Sequence, residues 1–288
     1  MTTLMREKDF VAFILTHGRP DRVHTFRSLR KAGYTGRIVI VLDNEDKTRA
    51  EYEKEFIGTE IVVFDKAAIS KTFDEGDNFQ DRRAIIYARN ACFQIAKKLG
   101  VRYFIQFDDD YTVFDYRFDA SGGYAEKPIK SIDRVLDSML DFFKKSKCST
   151  VAMAQSGDFI GGPNGSFGKK IRLHRKAMNS FICDAQNPFV FFGRINEDVN
   201  VYTCAGRRGQ LIFTIPNVSL KQKQTQSNAG GMSDLYLDSG TYVKSFYSVM
   251  YAPSCVKIKD MGPVHRRLHH SVKWKNAVPC ILSEELKK

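Results

Sequence analysis

The first third of the chain alternates between apolar runs of strand length and runs with the spacing of an amphipathic helix, and this constrains the fold most tightly. Strands are predicted over residues 9–16, 36–43, 60–65 and 102–107, and helices between them over 22–32, 47–56 and 83–100. Strand–helix alternation of this kind builds parallel sheets through right-handed crossovers. No linker or repeat divides the sequence. We therefore predict a single α/β domain over 1–288, with a mixed, mostly parallel central sheet flanked by helices.

Two of the predicted strands end in carboxylates. Asp43 closes the second strand, and Asp108, Asp109 and Asp110 come at the end of the fourth. The carboxyl ends of parallel strands meet at one rim of a sheet, where ligands bind, so these side chains are expected to lie together. Three adjacent carboxylates repel one another, and Mn²⁺ or Mg²⁺ would offset that repulsion while bridging phosphate oxygens. A solvated acidic loop is the alternative interpretation.

Positive charge is concentrated in the second half of the chain. Residues 1–160 carry 26 basic and 25 acidic side chains, whereas residues 161–288 carry 19 and 8. A polyanionic partner accounts for this segregation, and nucleic acid is the commonest one. Two basic clusters, over 168–176 and 265–276, provide the candidate DNA contacts. These are Lys169, Lys170, Arg172, Arg175, Lys176, Arg266, Arg267, Lys273 and the single tryptophan, Trp274. Two solvated surface segments are the alternative.

Nothing in the sequence indicates a membrane or a secretory route. No uninterrupted apolar run approaches the roughly 18 residues that span a bilayer, and the first ten residues contain no apolar signal core. The six cysteines are scattered without a C-x-x-C pair, which favours reduced thiols. A cytoplasmic protein without a membrane partner is expected.

Several motifs together resemble a known enzyme family. They are T-H-G-R-P at 16–20, V-L-D-N-E-D at 41–46, F-D-D-D-Y at 107–111, G-R-I-N-E-D-V-N-V-Y at 193–202 and the segment 230–250. Over roughly residues 10–258 the chain is similar to GT-A-fold glycosyltransferases, and more narrowly to phage-type enzymes that modify hydroxymethylated pyrimidines in DNA. Some of those are associated with TET-like oxygenases, and others are arabinosyl- or glucosyltransferases. The resemblance implies a UDP-sugar donor, a Mn²⁺ or Mg²⁺ cofactor, 5-hydroxymethylcytosine in DNA as acceptor, and a host bacterial cytoplasm if a phage encodes the protein.

The resemblance also implies a donor side and an acceptor side. Residues 1–115 would bind the nucleotide-sugar and residues 116–288 the acceptor DNA. The donor contacts implied are Thr16, His17, Gly18, Arg19, Asp43, Arg82, Arg89, Asp108 and Asp109. A surface turn fixed by Pro20 is the alternative for His17, and a helix-capping cluster is the alternative for Asp43. Arg82 and Arg89 are seven residues apart, so a helix through both would present them on one face. An exposed basic helix face is the alternative for that pair.

The metal and the general base follow from the same resemblance. Asp-x-Asp binds the metal in this fold, which implies Asp108 and Asp110, and His265 is expected to complete the ligand set, with His269 or His270 as alternatives. Asp198 is expected to be the general base and Glu197 its alternate, in an inverting displacement. A retaining outcome stays open. An acidic pair is also the usual start of a helix, so a purely structural role is the alternative.

Two other functions compete with this hypothesis. The same fold could act on a surface polysaccharide or a protein, although such acceptors give no reason for the positive charge of the second half. A metal-dependent nucleic-acid-binding or phosphoryl-transfer protein could use Asp43, Asp108 and Asp110 for two metals. The sequence alone leaves open the sugar (arabinose or glucose), the preference for single or double strands, and the oligomeric state.

Overall fold

The computed structural model of the chain describes residues 9–77, 82–169, 176–223, 243–261, 267–277 and 282–286. Its strands, numbered along the chain, are β1 (Phe10–Leu15), β2 (Ile38–Asp43), β3 (Glu60–Phe64), β4 (Tyr103–Asp108), β5 (Tyr111–Phe118), β6 (Tyr124–Pro128), β7 (Thr150–Gln155), β8 (Ser180–Asp184), β9 (Ile212–Gln222), β10 (Val256–Met261) and β11 (Arg267–Val272). Nine of these form one sheet in the order β3-β2-β1-β4-β8-β7-β9-β5-β6, and β10 and β11 form a separate antiparallel pair.

The sheet is mixed, as predicted. Strands β3, β2, β1 and β4 run parallel, which is the arrangement expected from the strand–helix alternation. Beyond them β8 is antiparallel to β4, and β7 pairs in parallel with β9. The sheet contains strands from both halves of the chain, and the predicted division at residue 115 falls inside β5. The assignment of donor and acceptor functions to the two halves stays a prediction.

Helices cover both faces of the sheet. They are α1 (His24–Lys31), α2 (Arg49–Glu55), α3 (Lys66–Ser70), α4 (Ile86–Lys98), α5 (Ile132–Ser146), α6 (Glu197–Arg207), α7 (243–251) and α8 (Trp274–Ala277). None of the helices in the described ranges is long and apolar enough to cross a membrane.

Strand β1 shows how the sheet separates two cores. All six of its residues are buried. Because successive side chains of a strand point to opposite faces, Phe10, Ala12 and Ile14 join the core that contains α1 and α5, while the intervening residues join the core that contains α4 and α6. Burial on both faces explains why β1 and β2 are continuous apolar runs rather than alternating ones.

The predicted elements of the first third are confirmed, with one correction of consequence. Each predicted strand is present to within a residue or two, and α4 ends before Gly100, whose φ of +67° suits a glycine after a helix. However, α4 begins at Ile86 rather than at residue 83. Arg82 therefore precedes the helix, and the predicted shared helix face for Arg82 and Arg89 is wrong.

The glycine-rich segment after β7 is folded against the sheet over its described part. Two short 3-10 helices occupy Ser156–Phe159 and Gly162–Asn164. Phe159 and Phe167 are buried and pack with Phe118.

Candidate active site at the rim of the parallel strands

The loop after β1 lies between the two groups of strand-terminal carboxylates. His17 Nδ1 is 2.7 Å from Asp43 Oδ2 at the end of β2. Thr16 Oγ1 donates over 2.7 Å to Asp109 Oδ2, just beyond β4. Since β1 is the strand between β2 and β4, the carboxylates do meet at one rim, as the sequence predicted.

Two residues outside this loop, Asp46 and Tyr52, hold its backbone, and the sequence singled out neither of them. Gly18 has a φ of +66°, and its N–H donates over 2.8 Å to Asp46 Oδ2. The Arg19 N–H donates over 2.9 Å to the Tyr52 hydroxyl. Asp46 belongs to the D-N-E-D cluster, but nothing in the spacing of Tyr52 marks it as part of a site. Asp46, which precedes α2, and Tyr52, which lies within α2, therefore fix the conformation of the loop.

Asp43 sits in a small charged network. His17 contacts it from one side, and the buried Lys66 Nζ lies 3.3 Å away on the other. Burial acts to raise the pKa of Asp43, but the His17 hydrogen bond and the Lys66 charge together hold it below its ordinary value. Arg82 pairs with Glu45, whose carboxylate is also 3.8 Å from Lys66. Lys66 was not predicted, and its buried position follows only from the packing of α3.

The three adjacent aspartates have three different environments. Asp108 Oδ1 accepts from Arg89, and Asp109 accepts from Thr16 and lies 3.7 Å from Arg19 Nε. Asp110 Oδ1 is buried and accepts no hydrogen bond from the described residues. Burial, with the neighbouring carboxylates adding to it, raises the pKa of Asp110 to about 7, and burial raises that of Asp108 to about 6. An acceptor left without a donor and a carboxylate with a raised pKa are what a bound cation would relieve.

The three aspartates alone do not provide a complete set of metal ligands. Within the described ranges, no three His, Cys, Asp or Glu side chains are grouped as a metal site, because Asp109 turns toward Thr16 and Asp108 toward Arg89. His265, the predicted third ligand, lies outside the described residues. Of its two alternatives, His270 is partly buried, and burial lowers its pKa to about 3.

Arg89 connects the rim to the start of α6. Its side chain is 1% exposed, its Nη2 donates to Asp108 Oδ1 over 2.8 Å, and its Nε donates to Glu197 Oε1 over 3.0 Å. The guanidinium also lies 4.9 Å from the ring centroid of Phe181. The predicted contact of Arg89 with a sugar-phosphate stays a prediction, but the contacts seen here are those of a residue that positions two carboxylates.

The predicted catalytic pair opens α6 and is buried. Asn196, with a φ of +57°, precedes Glu197, and Asp198 Oδ1 accepts from the Val199 N–H over 2.8 Å. Burial raises the pKa of both carboxyls; for Glu197 the Asp198 charge adds to the rise and Arg89 opposes it. Arg89 engages Glu197, whereas the hydrogen bond that Asp198 accepts comes from the Val199 N–H; the role of Asp198 as general base stays a prediction.

A cavity of about 360 Å³ lies beside α6, which contributes Tyr202 to its lining. Its polar lining includes Lys176, which pairs with Asp158, and His270. Its aromatic lining includes Tyr202 of α6, stacked on Trp274 with ring centroids 5.5 Å apart. Tyr202 closes the motif at 193–202, but the sequence predicted no role for it, and Asp158 was not singled out.

A profile of the TET-associated glycosyltransferases matches residues 10–231, which is more than three quarters of the chain. The chain belongs to the TET-associated glycosyltransferase family. As a member, it is a glycosyltransferase, and the alternative of a phosphoryl-transfer or purely nucleic-acid-binding protein is set aside.

Solved structures with a similar arrangement also include sugar transferases. Glucosyl-3-phosphoglycerate synthase from Mycobacterium tuberculosis, solved with Mn²⁺, UDP and phosphoglyceric acid, is 7% identical, with a TM-score of 0.44 and coverage of 92% of this chain and 87% of that one. A protein assigned as a nucleotide-diphospho-sugar transferase from Desulfovibrio desulfuricans G20 is 8% identical, with a TM-score of 0.40 and coverage of 84% and 98%. None of the curated proteins matches the sequence.

The basic residues predicted to bind DNA in this TET-associated glycosyltransferase are placed only in part. Lys169 and Lys273 are exposed, whereas Lys176 is partly buried against Asp158 and Trp274 against Tyr202. Outside the described residues are Lys170, Arg172, Arg175 and Arg266, together with the side chain of Arg267.

Proposed function

We propose that this TET-associated glycosyltransferase transfers a sugar, arabinose or glucose, from a UDP-sugar to the hydroxymethyl group of 5-hydroxymethylcytosine in DNA, with a divalent metal and with inversion. The observation that carries the chemistry is the buried Asp198 beside the aspartate rim, linked to it through Glu197, Arg89 and Asp108. The family match supports sugar transfer, and the positive charge of residues 161–288 supports a nucleic-acid acceptor.

The donor would lie along the rim formed by β1, β2 and β4. The Arg19 guanidinium, at the end of the loop Thr16–Arg19, suits phosphate. His17 and Asp43 offer a neighbouring pair of hydrogen-bonding groups for a ribose or a base. Arg82 and Lys66, both near Glu45, add positive charge on the same side.

The residues present fit a divalent cation at the end of β4. Asp110, whose Oδ1 accepts no hydrogen bond from the described residues, and Asp108 would hold it, with His265 as the proposed further ligand. When bound, Mn²⁺ or Mg²⁺ would neutralise charge on the diphosphate of the departing UDP.

Asp198 is proposed as the general base. The oxygen of the acceptor hydroxyl forms a bond to the anomeric carbon while the bond from that carbon to the UDP phosphate oxygen breaks. The electron pair of the broken bond leaves with UDP, and the hydroxyl proton passes to the Asp198 carboxylate. A raised pKa suits this role, because a base works best when its pKa lies near the working pH.

The acceptor can be tested by the release of UDP. The protein is incubated with Mn²⁺ and UDP-glucose or UDP-arabinose, with no DNA, with duplex DNA containing cytosine, or with the same duplex containing 5-hydroxymethylcytosine. We expect release to rise strongly only with the modified duplex. Equal release without DNA would indicate donor hydrolysis and an acceptor of another class, such as a polysaccharide or a protein.

A further inference from the structure

The cavity beside α6 is not used by the donor-side assignment. Its volume of about 360 Å³ lies at the lower end of the ~300–1,000 Å³ of small-molecule sites. It is bordered by the segment 157–167, by α6 and by the end of β11 with α8. A cavity of this size suits one compact ring rather than an extended polymer.

The cavity lies near the proposed base, although Asp198 itself is not among its lining residues. Tyr202 follows Asp198 by four residues on α6, so both side chains lie on the same face of the helix. Lys176 lies close enough to Asp198 to oppose the rise in the pKa of that carboxyl. At the start of α6, Asn196 Nδ2 is 3.3 Å from His270 Nδ1. A group in the cavity would therefore lie near the start of α6, where Asp198 is found.

The walls have the chemistry that recognises a flat heteroaromatic ring. The stacked pair of Tyr202 and Trp274 is a broad apolar surface, with Phe167 elsewhere in the lining. The polar lining includes the Asp158–Lys176 pair and His270. Aromatic surfaces with a few polar groups at one edge are how proteins hold bases taken out of a stack.

We propose that this cavity receives the pyrimidine ring of the acceptor, extruded from the DNA stack and laid against Trp274, with its polar edge toward Asp158 and Lys176. The assignment rests on the proposed function, since it takes the acceptor to be a base in DNA. Extrusion explains how a hydroxymethyl group in the major groove reaches a buried carboxylate, because the whole nucleotide moves out of the helix toward Asp198.

Trp274 makes the proposal directly measurable, because it is the only tryptophan of the chain. The protein is titrated with a duplex oligonucleotide that carries one 5-hydroxymethylcytosine, and with the same duplex carrying an abasic residue at that position. Binding is followed separately by the anisotropy of a terminal dye. We expect both to bind and only the first to quench Trp274 fluorescence to saturation.

The other outcomes separate the two proposals. Binding of both oligonucleotides with equal quenching, or with none, overturns the cavity assignment and leaves DNA as the acceptor. Binding of neither overturns the proposed function and this inference with it.

Kinetics provide a second measurement. Trp274→Ala is expected to raise the KM for modified DNA by about tenfold or more, from the loss of stacking, with the donor KM unchanged and with substantial recovery in Trp274→Phe. Ile57→Ala is the control, since Ile57 is an exposed apolar residue outside both basic clusters and outside the cavity lining. An acceptor KM that is the same in Trp274→Ala and Ile57→Ala overturns the proposal.

Discussion

Arg89 and Glu197 are 108 residues apart in the sequence, yet Arg89 Nε donates to Glu197 Oε1 over 3.0 Å in the folded protein. The same guanidinium binds Asp108 at the end of β4. One buried cation thus fixes the start of α6 against the aspartate rim. The contact also gives the two acidic residues different environments, because it engages Glu197, while Asp198 accepts from the Val199 N–H.

Loss of Arg89 is expected to destabilise the protein strongly. Arg89→Leu leaves Asp108 and Glu197 buried without their cation, which costs about 3–5 kcal/mol of the free energy of unfolding. Arg27→Ala is the control, because Arg27 pairs with Glu55 at the surface and such pairs are worth about 0–1 kcal/mol. Urea unfolding followed by circular dichroism measures both, and equal costs would contradict a central role for Arg89.

Asp198→Asn is expected to lower turnover while leaving the donor site intact. Removal of a general base typically costs ~10²–10⁴-fold in rate, so kcat should fall by about that factor. The KM for the UDP-sugar should change little, because Asp198 does not belong to the donor rim. Steady-state kinetics with each substrate varied separately would show this, and an unchanged kcat would reduce Asp198 to a helix-capping residue.

Asp110→Asn is expected to abolish transfer through loss of the metal. Its buried Oδ1 accepts no hydrogen bond from the described residues, so the substitution should leave the fold unchanged. Electron paramagnetic resonance of Mn²⁺ gives a readout independent of activity, and Mn²⁺ affinity should fall in the variant. Asp141→Asn, which alters an exposed pair with Lys145, is the control. Unchanged Mn²⁺ affinity in Asp110→Asn would contradict the assignment of Asp110 as a metal ligand.

His17 and His24 should titrate on opposite sides of the ordinary value of ~6.5. The hydrogen bond to Asp43 raises the pKa of His17, whereas burial lowers that of His24. The His17–Asp43 interaction therefore stabilises the protein fully below about pH 6.5, and this contribution is lost as the pH rises through the folded-state pKa. NMR titration of the imidazole signals tests the order. Asp43→Asn should return the pKa of His17 toward 6.5 without changing the pKa of His24. An unchanged His17 pKa in this variant would contradict the pairing.

The basic cluster over 168–176 should set the salt dependence of DNA binding. Each phosphate contact contributes about 0.9 to the slope of log K against log salt, so replacing Lys169, Lys170 and Arg172 by Ala should reduce the slope by roughly 2–3 if all three contact phosphates. Lys31, Lys97 and Lys98, which are exposed in the first half, form the matched control triple. Equal slopes for the two triples would place the DNA elsewhere.

The parallel part of the fold and its rim were predictable because local signals agreed with the tertiary structure. Buried strands such as β1 and β2 are continuous apolar runs, and the order of parallel strands brings Asp43 and Asp108 to the same edge. The second half was harder to interpret. Strand β9 contains Pro216, and its register with β7 jumps between Ile215 and Ser219, so the strand lacks an uninterrupted sequence pattern.

The parts of the site that were missed are those that only packing brings together. Lys66 reaches Asp43 from α3, Tyr52 reaches the first loop from α2, and Tyr202 faces the cavity from α6. None has a partner nearby in the sequence. Arg89 was singled out as a cation, but its contacts with Asp108 and Glu197 depend on where α4 begins and how α6 approaches β4.

The most direct test of the account is the mass of the modified nucleoside. Duplex DNA containing 5-hydroxymethylcytosine or cytosine is incubated with the protein, Mn²⁺ and UDP-glucose or UDP-arabinose, digested to nucleosides and analysed by mass spectrometry, with a chelator control. We predict one added sugar on 5-hydroxymethyl-2′-deoxycytidine, none on 2′-deoxycytidine, and none when the metal is chelated. An unmodified 5-hydroxymethyl-2′-deoxycytidine with both donors would contradict the proposed acceptor, and a product that survives chelation would contradict the metal.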